Sequence, residues 1–273
     1  ENVSVKPYAT KAGVQALEEH LARRSAQGRV KFLSSLAAYQ VDYLLNDPNP
    51  SITIIIVAQT LSKDYIHSID EILSNTNYSS FDILLSLSSN EEEIVTNNLS
   101  HWKKKVQVIK RENHPEFSKI NQFNQSIADA QSDYVVILCE PLIGYPADWL
   151  YTLVGQATQH GVGAVAPKLI YKNGFVYSTG VILLPDHSAK NLSEGTETDD
   201  IGYFGWAKLR RGYSVLSEKC LLIKKEIFEL VGGFSADYHN LSFSSIDMCL
   251  QLRENGFRNI LCPSVELCLQ EDY

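Results

Sequence analysis

The chain has 273 residues, of which 44% are hydrophobic and 21% charged. This is an ordinary globular composition, and it excludes collagen, low-complexity repeats and a disordered tail. A net charge of −8 argues against nucleic acid as a partner, because the basic spots are short: Lys103–Lys105, Lys110 with Arg111, and Arg210 with Arg211.

Residues 10–24 read as an amphipathic helix, with Thr10 as its cap and Val14, Leu17 and Leu21 on one face. A looser stretch follows and ends in Asn46-Asp47-Pro48-Asn49-Pro50, a turn or linker signal. Residues 1–48 are therefore expected to be an N-terminal helical extension and linker, with the main domain occupying 49–273. From Ser51 the pattern alternates strand and helix. The run 51–58 is β-branched from Ile52 to Val57, as in a strand covered on both faces. A helix is expected over 62–74 and a strand over 81–87. A helix capped by Asn90 follows, with Glu91, Glu92 and Glu93 in its first turn. Next come a strand over 106–109, a helix over 118–130, a strand over 133–139, and a helix opened by Pro146 and running to about residue 160. Such alternation implies a parallel sheet with helices on both faces.

The second half is more mixed. Residues 164–167 read as a strand, and Asn173-Gly174 as the turn of a hairpin between 168–171 and 175–184. Residues 185–210 read as a polar loop. Residues 217–230 lead into Gly232-Gly233-Phe234. A helix over 244–254 is stopped by Asn255-Gly256, and 257–262 is a last strand.

The runs 52–58 and 134–139 are the longest apolar stretches, far short of the roughly 20 residues a membrane helix needs, so no transmembrane segment is expected. Five cysteines, at 139, 220, 249, 262 and 268, sit in apolar stretches without a CxxC pair. They read as buried hydrophobes in a reducing compartment. No histidine has metal-ligand spacing to another His or a Cys. Asn-x-Ser triplets begin at Asn2, Asn77, Asn98, Asn124, Asn191 and Asn240; they would matter only in a secreted protein, and nothing else in the sequence suggests one. The chain begins at Glu1 and not at Met, which reads as a piece of a longer protein. There is no GxGxxG after the first strand, no P-loop and no GxSxG elbow, so dehydrogenase, kinase and hydrolase readings are poor.

In open α/β sheets ligands sit beyond the carboxyl ends of the strands. Here those ends are Val57-Ala58-Gln59, Leu87-Ser88-Ser89, Lys110-Arg111-Glu112-Asn113 and Cys139-Glu140-Pro141. This layout, with the segments SITIIIVAQT, SDYVVILCEPLIGYPADWL, GVGAVAPKLIYKNGFVYSTGVIL, CLLIKKEIFELVGGF and SSIDMCLQLRENGFRNILCPSVEL, resembles family-2 glycosyltransferases, and within them the subgroup of bacterial surface-polysaccharide and rhamnan assembly. The resemblance covers most of residues 35–270. It implies an α/β GT-A fold, Rossmann-like, with a mostly parallel central sheet flanked by helices. It also implies a nucleotide-binding half at 49–145, an acceptor half at 146–273, and a location in the cytoplasm, either free or peripheral at the inner membrane.

The scaffold positions match the family, whereas its chemical positions are replaced. Inverting transfer from a sugar nucleotide needs a cation for the diphosphate leaving group and a carboxylate to deprotonate the acceptor hydroxyl. The family's Asp-x-Asp-like metal motif aligns on Cys139-Glu140-Pro141, leaving Glu140 as one weak metal ligand. The family's base, two positions before a retained Asp, aligns on Ser245; the retained residue is Asp247. The donor-binding Asp aligns on Leu87 or Ser88, a Pro-Thr pair on Val57-Ala58, and a late His on Leu269 or Gln270.

Two readings follow. In the first, favoured by the loss of all these positions together, the domain is catalytically silent and acts as a scaffold or binding module. It then takes no cofactor, and its partner is a glycan acceptor or a companion glycosyltransferase. In the second, a rearranged site transfers sugar from a nucleotide sugar with Mn²⁺ or Mg²⁺. That site would use Glu140, Asp148, Asp247 or Glu218, with Lys168, Arg210 or Arg211 replacing the metal's charge. Tyr203, Phe204 and Trp206 are either an acceptor platform or a loop packed onto the sheet, and the general burial of aromatic side chains favours packing.

Overall fold

The computed structural model describes residues 7–88, 101–102, 105–110, 118–186 and 188–273. The helix expected from Asn90, and the positions Ser89, Lys103, Lys104 and Arg111–Asn113, lie outside the described residues.

The centre of the molecule is a ten-stranded sheet. Its parallel part comprises β3 (Ile52–Ala58), β4 (Phe81–Leu87), β5 (Val106–Lys110) and β6 (Tyr134–Leu138), in the order β6-β3-β4-β5. Every residue of β3 and β6 is buried, as their continuous apolar runs require of strands covered on both faces. The sheet continues through β8 (Val162–Ile170), β13 (Cys220–Lys224) and β14 (Arg258–Leu269) to an edge at β12 (Arg211–Tyr213). β13 runs antiparallel to both β6 and β8, while β14 is parallel to β8. Short strands β7 (Leu142–Ile143) and β9 (Val176–Ser178) join its margins, and β10 (Val181–Leu183) pairs separately with β11 (Ala189–Asn191). The sheet is thus parallel in its first half and mixed in its second.

Side-chain alternation along β3 divides the core. Ile52, Ile54 and Ile56 face α2 (Lys63–Asn75) and α4 (Trp149–Ala157), packing with Ile69, Ile72, Trp149 and Leu153. Ile55 and Val57 face α3 (Lys119–Asp129) and α6 (Leu241–Glu254), packing with Ile120, Phe123, Phe234 and Met248. The short α5 (Lys225–Leu230) leads from β13 to Gly232 and Gly233, both at positive φ. Gly233 abuts Phe228 and Asn124, and Asn124 is bonded to the backbone of Phe234. The Gly-Gly-Phe segment therefore closes α5 onto α3.

Several boundaries differ from the sequence reading: the last strand runs Arg258–Leu269 and not 257–262, and β8 covers Val162–Ile170 and not only 164–167. The first helix, α1 (Pro7–Arg23), starts before Thr10, so Thr10 is interior and not a cap. The stretch read as loose is a hairpin of β1 (Gly28–Leu33) and β2 (Ala38–Tyr43). It is fastened to the domain by Arg210, whose guanidinium donates to Asp42 at 2.6 Å and to the carbonyl of Val41. The helix expected from Pro146 begins at Trp149 and ends at Ala157. The last helix begins at Leu241, with the Asn240 side chain accepting from Ser242 N at 2.7 Å.

Candidate functional site

The carboxyl ends of β3 and β4 open into a cavity of about 420 Å³ lined by Val57, Gln59, Thr60, Tyr65, Ser88, Lys119 and Gln122. Two helices start here. Ser62 caps α2 by accepting from Tyr65 N, and Ser118 caps α3 by accepting from Asn121 N. Gln122 and Ser88, both buried, face each other, the amide donating to the hydroxyl at 2.9 Å. Of the family's donor positions, Val57 and Ser88 line this cavity. Leu87 points to the opposite face of β4 and is packed in the core with Ile83 and Leu85.

Beside the cavity lies the Cys139-Glu140-Pro141 turn. Cys139 is 2% exposed within the α3-side core. Burial, and then the nearby charge of Glu218, push its thiol well above the usual range, against the thiolate form that ligation requires. Its carbonyl oxygen accepts from Lys119 Nζ at 2.8 Å. Glu140 extends toward solvent, 3.9 Å from Lys219 Nζ. With Asp64, Pro141, Lys219, Leu269, Gln270 and Glu271 it lines a second, shallow cavity of about 270 Å³. Burial and the charge of Glu140 also raise the Tyr65 hydroxyl. At the late-His position, Leu269 is buried and Gln270 donates to the Asp64 carbonyl at 3.0 Å.

These donors do not fit Mn²⁺ or Mg²⁺. Such ions take several oxygen ligands, whereas this turn offers one carboxylate already facing an ammonium group, one buried thiol and a proline. Among the described residues no group of three or more His, Cys, Asp or Glu could hold a metal ion.

The base position is also turned away. The buried face of α6 is Ser244, Ser245, Met248, Cys249 and Leu252, the spacing of a helix packed along one stripe. Ser245 lies on that stripe, 1% exposed, its Oγ without a hydrogen-bond partner. Ser244 Oγ donates to the Ser235 carbonyl at 3.0 Å. Asp247 is half-buried beyond the stripe. At the start of α6, Ser242 Oγ donates to Glu218 at 2.5 Å. Burial foremost, and the charges of Glu218 and Glu194 after it, push the Tyr177 hydroxyl up to about 12. Lys219 Nζ stands 5.2 Å from the Tyr177 ring centroid.

The other candidate charges are engaged elsewhere. Lys168 is wholly buried and bonded to Glu266 at 2.9 Å and to the Thr198 carbonyl at 2.6 Å. Arg210 holds the hairpin, and Arg211 stacks on Trp206 with Cζ 3.5 Å from the ring centroid. Asp148 precedes α4 next to Ala147, whose carbonyl accepts from Asn77 N just past the end of α2. That is the opposite end of α2 from the cavity.

Sequence reasoning placed Gln59 at a strand end but passed over Thr60, Tyr65, Lys119, Gln122, Tyr177 and Lys219. One signal was available for Lys119. A cation in the first turn of a helix opposes the helix dipole, a local conflict that marks a position held for another reason.

No known protein-family profile matches the sequence. Solved structures place the fold: this is the GT-A glycosyltransferase fold. The mannosyltransferase PcManGT of Pyrobaculum calidifontis, in complex with GDP-Man and Mn²⁺, superposes with a TM-score of 0.59 at 15% identity, over 96% of this chain and 66% of that one. GalNAc-T7 with UDP, GalNAc and Mn²⁺ superposes with a TM-score of 0.66 at 13% identity, over 98% of this chain and 53% of that one. By sequence the chain is 30% identical over 266 residues to the uncharacterized protein y4gI of Sinorhizobium fredii, and 28% identical over 268 residues to the O-antigen biosynthesis protein RfbC of Myxococcus xanthus. It spans only 29% and 20% of those two proteins.

Proposed function

We propose that the chain is a glycosyltransferase-like domain of cell-surface polysaccharide assembly that does not itself perform metal-dependent sugar transfer. It serves as a scaffold or binding module for a glycan acceptor or a companion transferase. One observation carries the reading: at the position of the metal motif, Cys139 is buried in the core and Pro141 has no side-chain donor, which leaves Glu140 as the one carboxylate of the turn. The resemblance of the chain to a segment of an O-antigen biosynthesis protein supports the pathway class, and the short share of that protein supports a companion domain. Fold alone does not set function, which lives in the site. The division into an extension at 1–48 and a domain at 49–273 belongs to this reading, as does a cytoplasmic, membrane-peripheral location. Among the described residues no helix is long and apolar enough to cross a membrane.

The alternative, an active inverting transferase, has one observation in its favour. Lys119 and Lys219 bring two ammonium groups to the end of β6, where a diphosphate leaving group would need positive charge. Glu218, beside Ser242, would then be the available carboxylate. Incubation with GDP-, UDP- and dTDP-sugars, with and without Mn²⁺, separates the two. The proposal expects no nucleoside diphosphate release above the protein-free rate. Steady release abolished by Glu218→Gln would establish the alternative.

A further inference from the structure

The loop read as packed onto the sheet is exposed instead. Tyr203 is 70% exposed, Phe204 78% and Trp206 41%. Tyr203 meets Phe204 at a centroid distance of 4.6 Å and Trp206 at 5.3 Å, edge to face in both cases, so each contact covers at most one face of one ring and the opposite faces stay open to solvent at these exposures. Arg211 stacks on Trp206 and fixes its plane. The backbone beneath is tied by hydrogen bonds from Ala207 N to the Ile201 carbonyl at 3.1 Å and from Leu209 N to the Gly205 carbonyl at 3.0 Å. Phe204 sits at φ 50 between glycines at φ 66 and 77, a left-handed conformation that costs a non-glycine residue free energy. A strained backbone that holds a large ring in water gains nothing from the fold itself, which points to a ligand outside it.

We infer that Tyr203, Phe204 and Trp206 form a glycan-binding platform, on which the C–H faces of pyranose rings stack against the aromatic faces. This rests on the polysaccharide-assembly reading above. Two features favour sugar over a protein partner. Aromatic residues carry roughly 150–250 Å² each, so these three at their exposures, with Ile201 at 48%, offer about 500 Å². A stable protein interface takes about 800 Å² per side. The apolar patch is also bounded by carboxylates, Asp199 at 98% side-chain exposure and Asp200, whose Oδ1 accepts from Gly202 N at 2.8 Å. Carboxylates accept hydrogen bonds from sugar hydroxyls. A preformed loop lowers the ordering cost of binding.

The tryptophans make the test local. Trp102 and Trp149 are 1% and 0% exposed, so iodide quenching of fluorescence reports Trp206. The probes are tetrasaccharides of mannose, galactose and rhamnose. The inference expects at least one to protect Trp206 from iodide in a saturable way. It expects Tyr203→Ala to weaken that binding about tenfold or more, with the same thermal midpoint. Phe204→Gly removes a ring while relieving the backbone, so a loss of binding in that variant does not come from misfolding. Failure of every tetrasaccharide to protect Trp206 would overturn the inference. Protection that rises with protein concentration in the absence of sugar would also overturn it, by assigning the patch to a second copy. Donor turnover, should it occur, bears on the previous proposal and leaves this quenching result intact.

Discussion

Lys119 Nζ donates to the carbonyl oxygen of Cys139 at 2.8 Å, joining the first turn of α3 to the end of β6. A charge-assisted bond of this kind contributes about 1.5–3 kcal/mol. Against it stands the unfavourable position of a cation at a helix N-terminus, about 0.3–1 kcal/mol. Lys119→Met should therefore lower stability by about 1 kcal/mol, seen as a lower urea midpoint at unchanged slope.

The neighbouring thiol tests how far the metal motif could be restored. Cys139 is 2% exposed among apolar side chains. Cys139→Asp would place a carboxylate there, and the cost of burying an unpaired charge is at least about 3 kcal/mol. Cys139→Ala should cost much less, about 1 kcal/mol. Thermal denaturation of the two variants decides this. If Cys139→Asp were as stable as the parent chain, the turn would be far more open than its burial indicates.

Asp133 gives a pH-dependent expectation. The Ser51 hydroxyl donates to its carboxylate at 2.7 Å and Ser51 N at 2.9 Å, which together hold its pKa below the ordinary 3.8. A carboxyl group whose folded pKa is depressed contributes stability above its unfolded value and loses it as the pH falls through the folded value. Asp133→Ala should therefore be less stable than the parent at neutral pH, with the difference shrinking below about pH 3.8. Urea unfolding at neutral and acidic pH checks the sign.

Much of the frame was legible from pattern alone. The β-branched run of β3, the helix spans at 62–74 and 118–130, and the Asn255-Gly256 stop all depend on local chemistry, and the chain obeys it: Gly256 takes φ 83 and Asn255 ends α6. The hairpin β1–β2 escaped because its residues are only half-buried and its fastening, Arg210 to Asp42, spans 168 positions. The site was legible only in part. The resemblance pointed to Cys139-Glu140-Pro141, but nothing local tells that Lys119 reaches the Cys139 carbonyl or that Ser245 turns into the core. Both depend on how α3 and α6 rotate against the sheet. The aromatic loop was misjudged because burial statistics describe ordinary aromatics and not those held out by a left-handed Phe204.

That strain has a measurable consequence. Relief of the left-handed conformation is worth about 1–2 kcal/mol, and the added freedom of glycine in the unfolded chain takes back about 0.5–1 kcal/mol. Phe204→Gly should leave stability unchanged or raise it by up to about 1 kcal/mol, although it deletes a large aromatic side chain. A loss of 2 kcal/mol or more, on the same scale, would mean that the ring packs within the fold.

The most direct measurement for the central claim is calorimetric titration of the folded chain with GDP-, UDP- and dTDP-sugars, in Mn²⁺ and again in EDTA. With Cys139 buried and Glu140 facing Lys219, the account predicts no metal-dependent heat for any donor. Micromolar binding of one donor in Mn²⁺ that vanishes in EDTA would contradict it, and would mean that Glu140 and another carboxylate hold a metal after all.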